Sequence, residues 1–178
     1  MRELVIDSIR VNLRNYQRVV ILKEKDRDRY LPIWIGMTEA DAIAFRLQEV
    51  TVARPQTHDL LASVLTELGA TVQQVVVNDM SNDIYYARIH VDAGGRHLEI
   101  DSRPSDAIAL AVRASVPIFA EDSVLDRAGV VLNADGEIEH PSDGPSSKPA
   151  SAEELERLSA FRDFISELNL DDLGKTST

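Results

Sequence analysis

The sequence predicts an α+β fold, in which helices pack on a mixed, mainly antiparallel sheet and an acidic linker leads to a C-terminal helix. Segments with strand-like alternation come in two consecutive groups, around residues 4–35 and 72–101. Three segments with apolar residues at helical spacing lie between and after these groups. A chain of 178 residues is long enough to bury the core that such a fold needs.

The first group predicts three strands. Alternation over residues 4–13 changes phase near Asp7 and Ser8, which predicts a β-bulge there. Residues 18–22 form an apolar run typical of a buried strand. A charged loop then leads to a strand over residues 30–35, which Gly36 ends.

The helices are predicted over residues 38–48, from about 57 to 68, and from about 102 to 115. Thr38 and Thr57 are candidate N-caps, because a hydroxyl there can accept a hydrogen bond from a free helix amide. In the first helix, Ile43 and Leu47 share a face with Ala40, which we expect to be buried. The second helix ends at Gly69, and its apolar residues at helical spacing are Leu60, Leu61, Val64, Leu65 and Leu68.

The second group predicts a three-stranded meander over residues 72–77, 84–91 and 96–101. Gly94 and Gly95 predict the turn of its last hairpin. The third helix follows directly, and its interior from Ile108 to Val112 is apolar nearly all round. We therefore expect this helix to be buried on several sides.

Composition divides the chain into a domain over residues 1–133, an acidic flexible linker over 134–150, and an amphipathic helix with a tail over 151–178. The helix of the last part carries an apolar stripe that must dock on the same domain or on a second subunit. Lys and Arg minus Asp and Glu give 4 − 11 = −7 for residues 134–178 and 15 − 19 = −4 for residues 1–133. This acidic balance argues against a protein that coats DNA through basic patches.

The composition also limits the chemistry. The absence of cysteine excludes disulfides and thiolate chemistry. No apolar run approaches the roughly 20 residues that cross a bilayer, and the N-terminus does not resemble a signal peptide, so we expect a soluble cytoplasmic protein without membrane contact. Phosphate-binding loops and nucleophile elbows are absent from the sequence.

Two predicted helix starts share the sequence Asp-Ala-Ile-Ala, at residues 41–44 and 106–109. If the sheet brings these starts to one edge, Glu39, Asp101 and Asp106 could bind a divalent cation such as Mg²⁺ or Mn²⁺, with Arg103 facing a phosphate. The alternative interpretation is that the aspartates only stabilise the positive ends of the helix dipoles.

A third polar cluster precedes the second helix and contains Arg54, Thr57, His58 and Asp59. A histidine beside a carboxylate can act as a general base or as a metal ligand. The alternative is that Asp59 interacts with the helix dipole and that His58 is an ordinary surface residue.

Three motifs together resemble the bifunctional nuclease family, also called the DNase–RNase domain. They are Leu-Pro-Ile-Trp-Ile-Gly at residues 31–36, Arg-Pro-Gln-Thr-His-Asp at 54–59, and Ser-Arg-Pro-Ser-Asp-Ala-Ile-Ala-Leu at 102–110. Gln56 departs from the leucine expected in the second motif. The resemblance runs from about Glu3 to Val130 and implies an α+β domain, often dimeric, that acts on both DNA and RNA.

By position in these motifs, His58, Asp59 and Asp106 are candidate catalytic residues, and Glu39, Asp101 and Asp106 are candidate metal ligands. Arg54 and Arg103 would then bind the scissile phosphate. Ion pairs with nearby carboxylates are the alternative role of the two arginines.

Two other functions stay open at this point. The same polar clusters could form a non-enzymatic module that binds an anion or another protein. The tail helix could also be the working surface of an assembly subunit, which would make the polar clusters purely architectural.

Overall fold

A computed structural model describes residues 1–11, 17–132 and 138–139 of the chain. Contacts divide the chain into two units, Met1–Gly129 and Val130–Thr178. In the second unit the described residues form a short antiparallel pair, β8 (Val130–Leu132) with β9 (Ile138–Glu139). The predicted linker and C-terminal helix lie outside the described residues, apart from residues 138–139.

The first unit confirms the predicted α+β class. Its strands are β1 (Arg2–Val11), β2 (Arg18–Glu24), β3 (Arg29–Ile35), β4 (Ala70–Ser81), β5 (Ile84–Ala93), β6 (Arg96–Ser102) and β7 (Ile118–Ala120). Its helices are α1 (Met37–Leu47), α2 (Thr57–Glu67), α3 (Pro104–Ala114) and α4 (Asp122–Ala128).

Within this unit the strands lie in the order β6-β5-β4-β7-β1-β2-β3. Every neighbouring pair is antiparallel except β4 and β7, which are parallel. The predicted bulge in β1 is confirmed, because the register with β2 shifts between Ile6 and Ser8. Gly94 and Gly95 turn the β5–β6 hairpin with φ of 64° and 84°, a conformation that glycine adopts without strain.

The core explains why α3 occupies the centre of the helical layer. Residues Ala107 to Ala111 are all buried, as the apolar sequence predicts. The helix packs against α1, α2, β4 and β5. Burying each large side chain, such as Ile108 or Leu110, contributes about 1.5–3 kcal/mol relative to exposure. Because this packing fixes the position of α3, it also fixes the position of the first turn of α3.

The predicted caps of the first two helices were wrong. Helix α1 is N-capped by Gly36 and α2 by Gln56, each in an extended conformation. Thr38 lies two residues after the N-cap of α1 and Thr57 one residue after the N-cap of α2, so neither hydroxyl is at the capping position. The expected burial holds for Ala40 and Ile43, whereas Leu47 is 48% exposed.

Helix α2 is held differently from α3. Four of the apolar residues that predict this helix are exposed: Leu60, Leu61, Val64 and Leu68. Its buried residue is His58, in the first turn. Ala62 and Leu65 pack against the core, and polar contacts hold the N-terminal end of α2.

Candidate functional site

Four of the predicted site residues meet at the starts of three helices. Glu39 is the third residue of α1, His58 the second of α2 and Asp106 the third of α3. Arg103 is the N-cap residue of α3. The side chains of these four residues form one connected cluster, which we call the helix-start cluster.

The contact between His58 and Asp106 joins α2 to α3. The Nε2 atom of His58 lies 3.1 Å from Oδ1 of Asp106, and the imidazole is 11% exposed. Burial works to raise the pKa of Asp106, but hydrogen bonds from Arg103 and His58 outweigh it, and the pKa is lowered. The carboxylate is therefore charged and orients the ring.

Arg103 joins α3 to α1 through two carboxylates. Its Nε donates to Asp106 Oδ2 at 2.8 Å and its Nη2 lies 2.9 Å from Glu39 Oε1. The side chain is 66% exposed, whereas that of Glu39 is 19% exposed. Among the described residues Nη1 has no hydrogen-bond partner, so the solvent-facing edge of the guanidinium keeps two N–H donors.

Asp59 belongs to a neighbouring set of contacts and not to the helix-start cluster. Its Oδ2 accepts the backbone N–H of Gln56 at 2.8 Å, and its Oδ1 lies 2.5 Å from Nε of Arg113. Burial works to raise the pKa of Asp59, but these two donors outweigh it and lower that pKa. The predicted catalytic pair of His58 and Asp59 thus faces two different partners on α3.

Arg54 and Asp101 lie outside the cluster. Arg54 is exposed in the connection between α1 and α2, and Asp101 is exposed on β6, opposite Arg88 of β5. Neither side chain makes a hydrogen bond or ion pair with another residue in the described part of the chain.

The predicted metal ligands do not form a ready coordination set. In residues 1–11, 17–132 and 138–139, no three His, Asp or Glu side chains are placed to share a metal ion. Both oxygens of Asp106 face the donors of Arg103, and Oδ1 also faces His58. The helix-start cluster is therefore better suited to proton transfer and anion binding than to coordinating a metal ion through several carboxylates.

The arrangement can support two chemical tasks at one place. A carboxylate-oriented imidazole can take up a proton, and an exposed guanidinium can bind a phosphate. The positive ends of the helix dipoles also lie at the cluster, where they stabilise the carboxylates of Glu39 and Asp106.

In the described residues no helix is long and apolar enough to cross a membrane. The family model of the bifunctional nuclease domain matches residues 20–133. The chain belongs to the bifunctional nuclease domain family.

Relatives cover this domain to different extents. An uncharacterized protein of Mycobacterium tuberculosis is 36% identical over 176 residues, which is 99% of this chain and 100% of the relative. Bifunctional nuclease 1 of Oryza sativa subsp. indica is 29% identical over 106 residues, and Bifunctional nuclease 2 of Arabidopsis thaliana is 30% identical over 113 residues. These matches cover 58% and 60% of this chain but only 32% and 34% of the plant proteins.

In this bifunctional nuclease domain, the sequence interpretation missed Arg113 and the role of Gln56 as a helix cap. A signal for Arg113 was present, because a residue seven positions after Asp106 lies on the same face of a helix. Arg113 is the one cationic side chain that follows the apolar interior of α3. Gln56 stood out only as a departure from the family motif.

Proposed function

We propose that this bifunctional nuclease domain hydrolyses phosphodiester bonds of DNA and RNA with little sequence preference. The observation that carries the proposal is the 3.1 Å contact of the buried His58 imidazole with Asp106, beside the exposed guanidinium of Arg103. Membership of the family supports it, and two of the matched plant relatives are named bifunctional nucleases.

His58 would act as the general base. When Nε2–H donates to Asp106, the proton is absent from Nδ1, which has no partner among the described residues. Nδ1 can then accept a proton from a water whose oxygen attacks phosphorus. As the new P–O bond forms, the bond to the leaving oxygen breaks and that oxygen takes a proton from the imidazolium or from solvent. Asp106 stabilises the imidazolium charge meanwhile.

Arg103 would hold the reacting phosphate. The N–H groups of Nη1 face away from Glu39 and Asp106, so a phosphate can bind without breaking the ion pairs of the free protein. Charge on the phosphate oxygens increases during attack, and a fixed guanidinium stabilises that charge. Arg54, which is exposed before α2, would contact a more distant phosphate of the same strand.

We propose separately that a divalent cation, Mg²⁺ or Mn²⁺, assists the reaction. Glu39, Asp101 and Asp106 do not meet as a ligand set, so no step above passes through a metal. A cation shared with the substrate phosphate would supply charge neutralisation, which an acidic domain needs near nucleic acid.

The test compares purified wild type with His58→Ala and Asp106→Asn on labelled single-stranded DNA and RNA, with Mg²⁺, Mn²⁺ or EDTA. We expect each variant to lose about 100- to 10,000-fold in cleavage rate, the range of general acid–base catalysis. Asp126→Asn is the matched control, because Asp126 is also a helical aspartate paired with an arginine and is 70% exposed. Equal cleavage by all four proteins would indicate a contaminating nuclease.

A second candidate function is binding without turnover. It is favoured by the charge of the helix-start cluster, in which two carboxylates face one guanidinium, and by the net charge of −4 over residues 1–133. Saturable binding of a small anionic ligand, lost on Arg103→Gln, with no cleavage under any metal, would support this candidate.

We further propose a homodimer or higher homo-oligomer in the cytoplasm. The exposed apolar residues of α2 support self-association, because an apolar helix face gains free energy when a second surface covers it. The absence of cysteine is consistent with a reducing compartment. Light scattering of wild type and of a Leu60→Ser, Leu68→Ser variant would show whether α2 forms the contact.

A further inference from the structure

Arg113 joins the three helices that carry the candidate site. Its side chain is only 5% exposed. Its Nε donates to Asp59 Oδ1 at 2.5 Å and its Nη2 to Gln56 Oε1 at 3.0 Å, both at the start of α2. Its Nη1 donates to the carbonyl oxygens of Ala42 on α1 and Ala109 on α3, at 3.0 and 2.9 Å. One guanidinium therefore binds all three helices.

These contacts lie next to the proposed catalytic pair. Arg113 binds Asp59, and Asp59 follows His58 directly on α2. Seven residues earlier on α3, Asp106 binds His58. The first turn of α2 is thus held at two adjacent residues by two side chains of one helix.

Hydrophobic packing does little to replace this polar anchor. The apolar side chains Leu60 and Val64 of α2 are 59% and 44% exposed, and that of Leu68, which follows the helix, is 76% exposed. The apolar residues of α2 that pack against the core, Ala62 and Leu65, come after its first turn, so the direction of that turn depends on the contacts of Arg113 and Asp106. A small rotation of that turn would move the imidazole out of hydrogen-bond range of Asp106.

We propose that Arg113 is a positioning residue, which sets the orientation and tautomer of His58 through Asp59 and the N-cap of α2. Its effect on catalysis rests on the proposed function, whereas its effect on the ring does not. A role limited to stability would lower the melting temperature and leave the His58 ring unchanged in the folded protein.

The experiment follows the ring directly by nitrogen-15 NMR of the full chain, with His58 assigned from the His58→Ala spectrum. At a pH at which the ring is neutral, wild type should show one tautomer of His58, with the proton on Nε2. Arg113→Gln and Asp59→Asn should show a mixture of both tautomers, and Arg113→Lys should recover part of the wild-type signal. Arg127→Gln is the matched control, because Arg127 also lies in the last turn of a helix and donates to a backbone carbonyl, that of Met80.

Cleavage provides the second readout. If wild type is a nuclease, Arg113→Gln should lower kcat about 10- to 100-fold with little change in KM, as expected for a group that positions a catalytic residue. A changed ring signal without any wild-type cleavage would keep the positioning role and reject the nuclease. Wild-type cleavage with an unchanged ring in folded Arg113→Gln would reject the positioning role alone.

Asp59→Asn provides a second variant in case Arg113→Gln does not fold. It replaces one carboxylate oxygen by an NH₂ group and keeps the other oxygen as an acceptor for the Gln56 backbone N–H. If Arg113→Gln does not fold, the ring signal of Asp59→Asn shows whether the contact between Arg113 and Asp59 positions His58. Loss of folding in every variant except Arg127→Gln would assign Arg113 to stability and overturn the proposal.

Discussion

Asp106 and Arg113, two turns apart on α3, hold adjacent residues of α2: Asp106 binds His58 and Arg113 binds Asp59. The buried helix α3 therefore acts as the frame on which the exposed helix α2 is placed. This relationship explains why a weakly packed helix can present a buried imidazole in one orientation. It also makes the first turn of α2 sensitive to changes on α3.

Lowering the pH should weaken this attachment. The pKa values of Asp59 and Asp106 are lowered, since burial alone would raise them but their hydrogen-bond donors prevail. A carboxyl with a lowered folded-state pKa adds stability above its unfolded pKa and loses it as the pH falls through the folded pKa. The free energy of unfolding should therefore drop as the pH falls below about 4, and less steeply in Asp106→Asn. Urea unfolding across this window measures both slopes, and parallel slopes would contradict the prediction.

Replacing Arg103 should separate activity from stability. Arg103 is 66% exposed, so its ion pairs contribute at most about 1 kcal/mol and the melting temperature should change little. Cleavage should fall about 100-fold or more in Arg103→Gln, because the proposed mechanism then loses a donor to the reacting phosphate. Arg103→Lys should also be impaired, since one ammonium cannot donate through a planar fork to two carboxylates and a phosphate.

Arg127→Lys is the control for that series, because Arg127 is 57% exposed and carries an ion pair with Asp79 away from the helix-start cluster. Steady-state kinetics and thermal unfolding of the three variants give the comparison. Full activity in Arg103→Gln would exclude Arg103 from phosphate binding.

Gly36→Ala should act through Glu39. The backbone of Gly36 has φ of −69°, which any residue adopts, so the requirement for glycine is spatial. A Cβ at this position would overlap Oε2 of Glu39 and push its carboxylate away from Arg103. We expect Gly36→Ala to lower cleavage as much as Glu39→Ala, with no further loss in the double variant. Additive losses in this double-mutant cycle would show that the two positions act independently.

Much of the fold was predictable because the signals were local. The bulge of β1, the Gly94–Gly95 turn and the burial of α3 each follow from a few neighbouring residues. The short elements β7 and α4 were not predicted, since three strand residues carry almost no periodicity. The parallel pairing of β4 with β7 joins residues more than 40 positions apart, and no local pattern encodes it.

The candidate site was predictable in part. The repeated Asp-Ala-Ile-Ala and the family motifs pointed to Glu39, His58, Arg103 and Asp106, which the fold brings together. The placement of Asp101 on the exposed edge of the β5–β6 hairpin depends on strand register, which motif spacing does not encode. The roles of all these residues in catalysis stay predictions.

A clear loss of stability is expected away from the site, at Glu24. This carboxylate ends β2 with a side chain only 3% exposed, and it lies 2.9 Å from Nε of Arg29 on β3 and 3.8 Å from Nε of Arg2 on β1. Glu24→Gln would leave the guanidinium of Arg29, itself 19% exposed, facing a neutral amide, with the exposed Asp126 as its remaining carboxylate partner. Breaking a buried ion pair costs about 3–5 kcal/mol when the remaining charge has no other partner, and we expect about 2 kcal/mol here because Arg29 keeps Asp126.

Glu3→Gln is the matched control, since Glu3 is 38% exposed and pairs with Lys25 at 2.9 Å. An exposed pair contributes at most about 1 kcal/mol, so this variant should unfold nearly as wild type does. Urea unfolding of both variants at neutral pH measures the difference. Equal losses would mean that water reaches Arg29 easily, and Glu24 would then not be the residue that joins the first three strands.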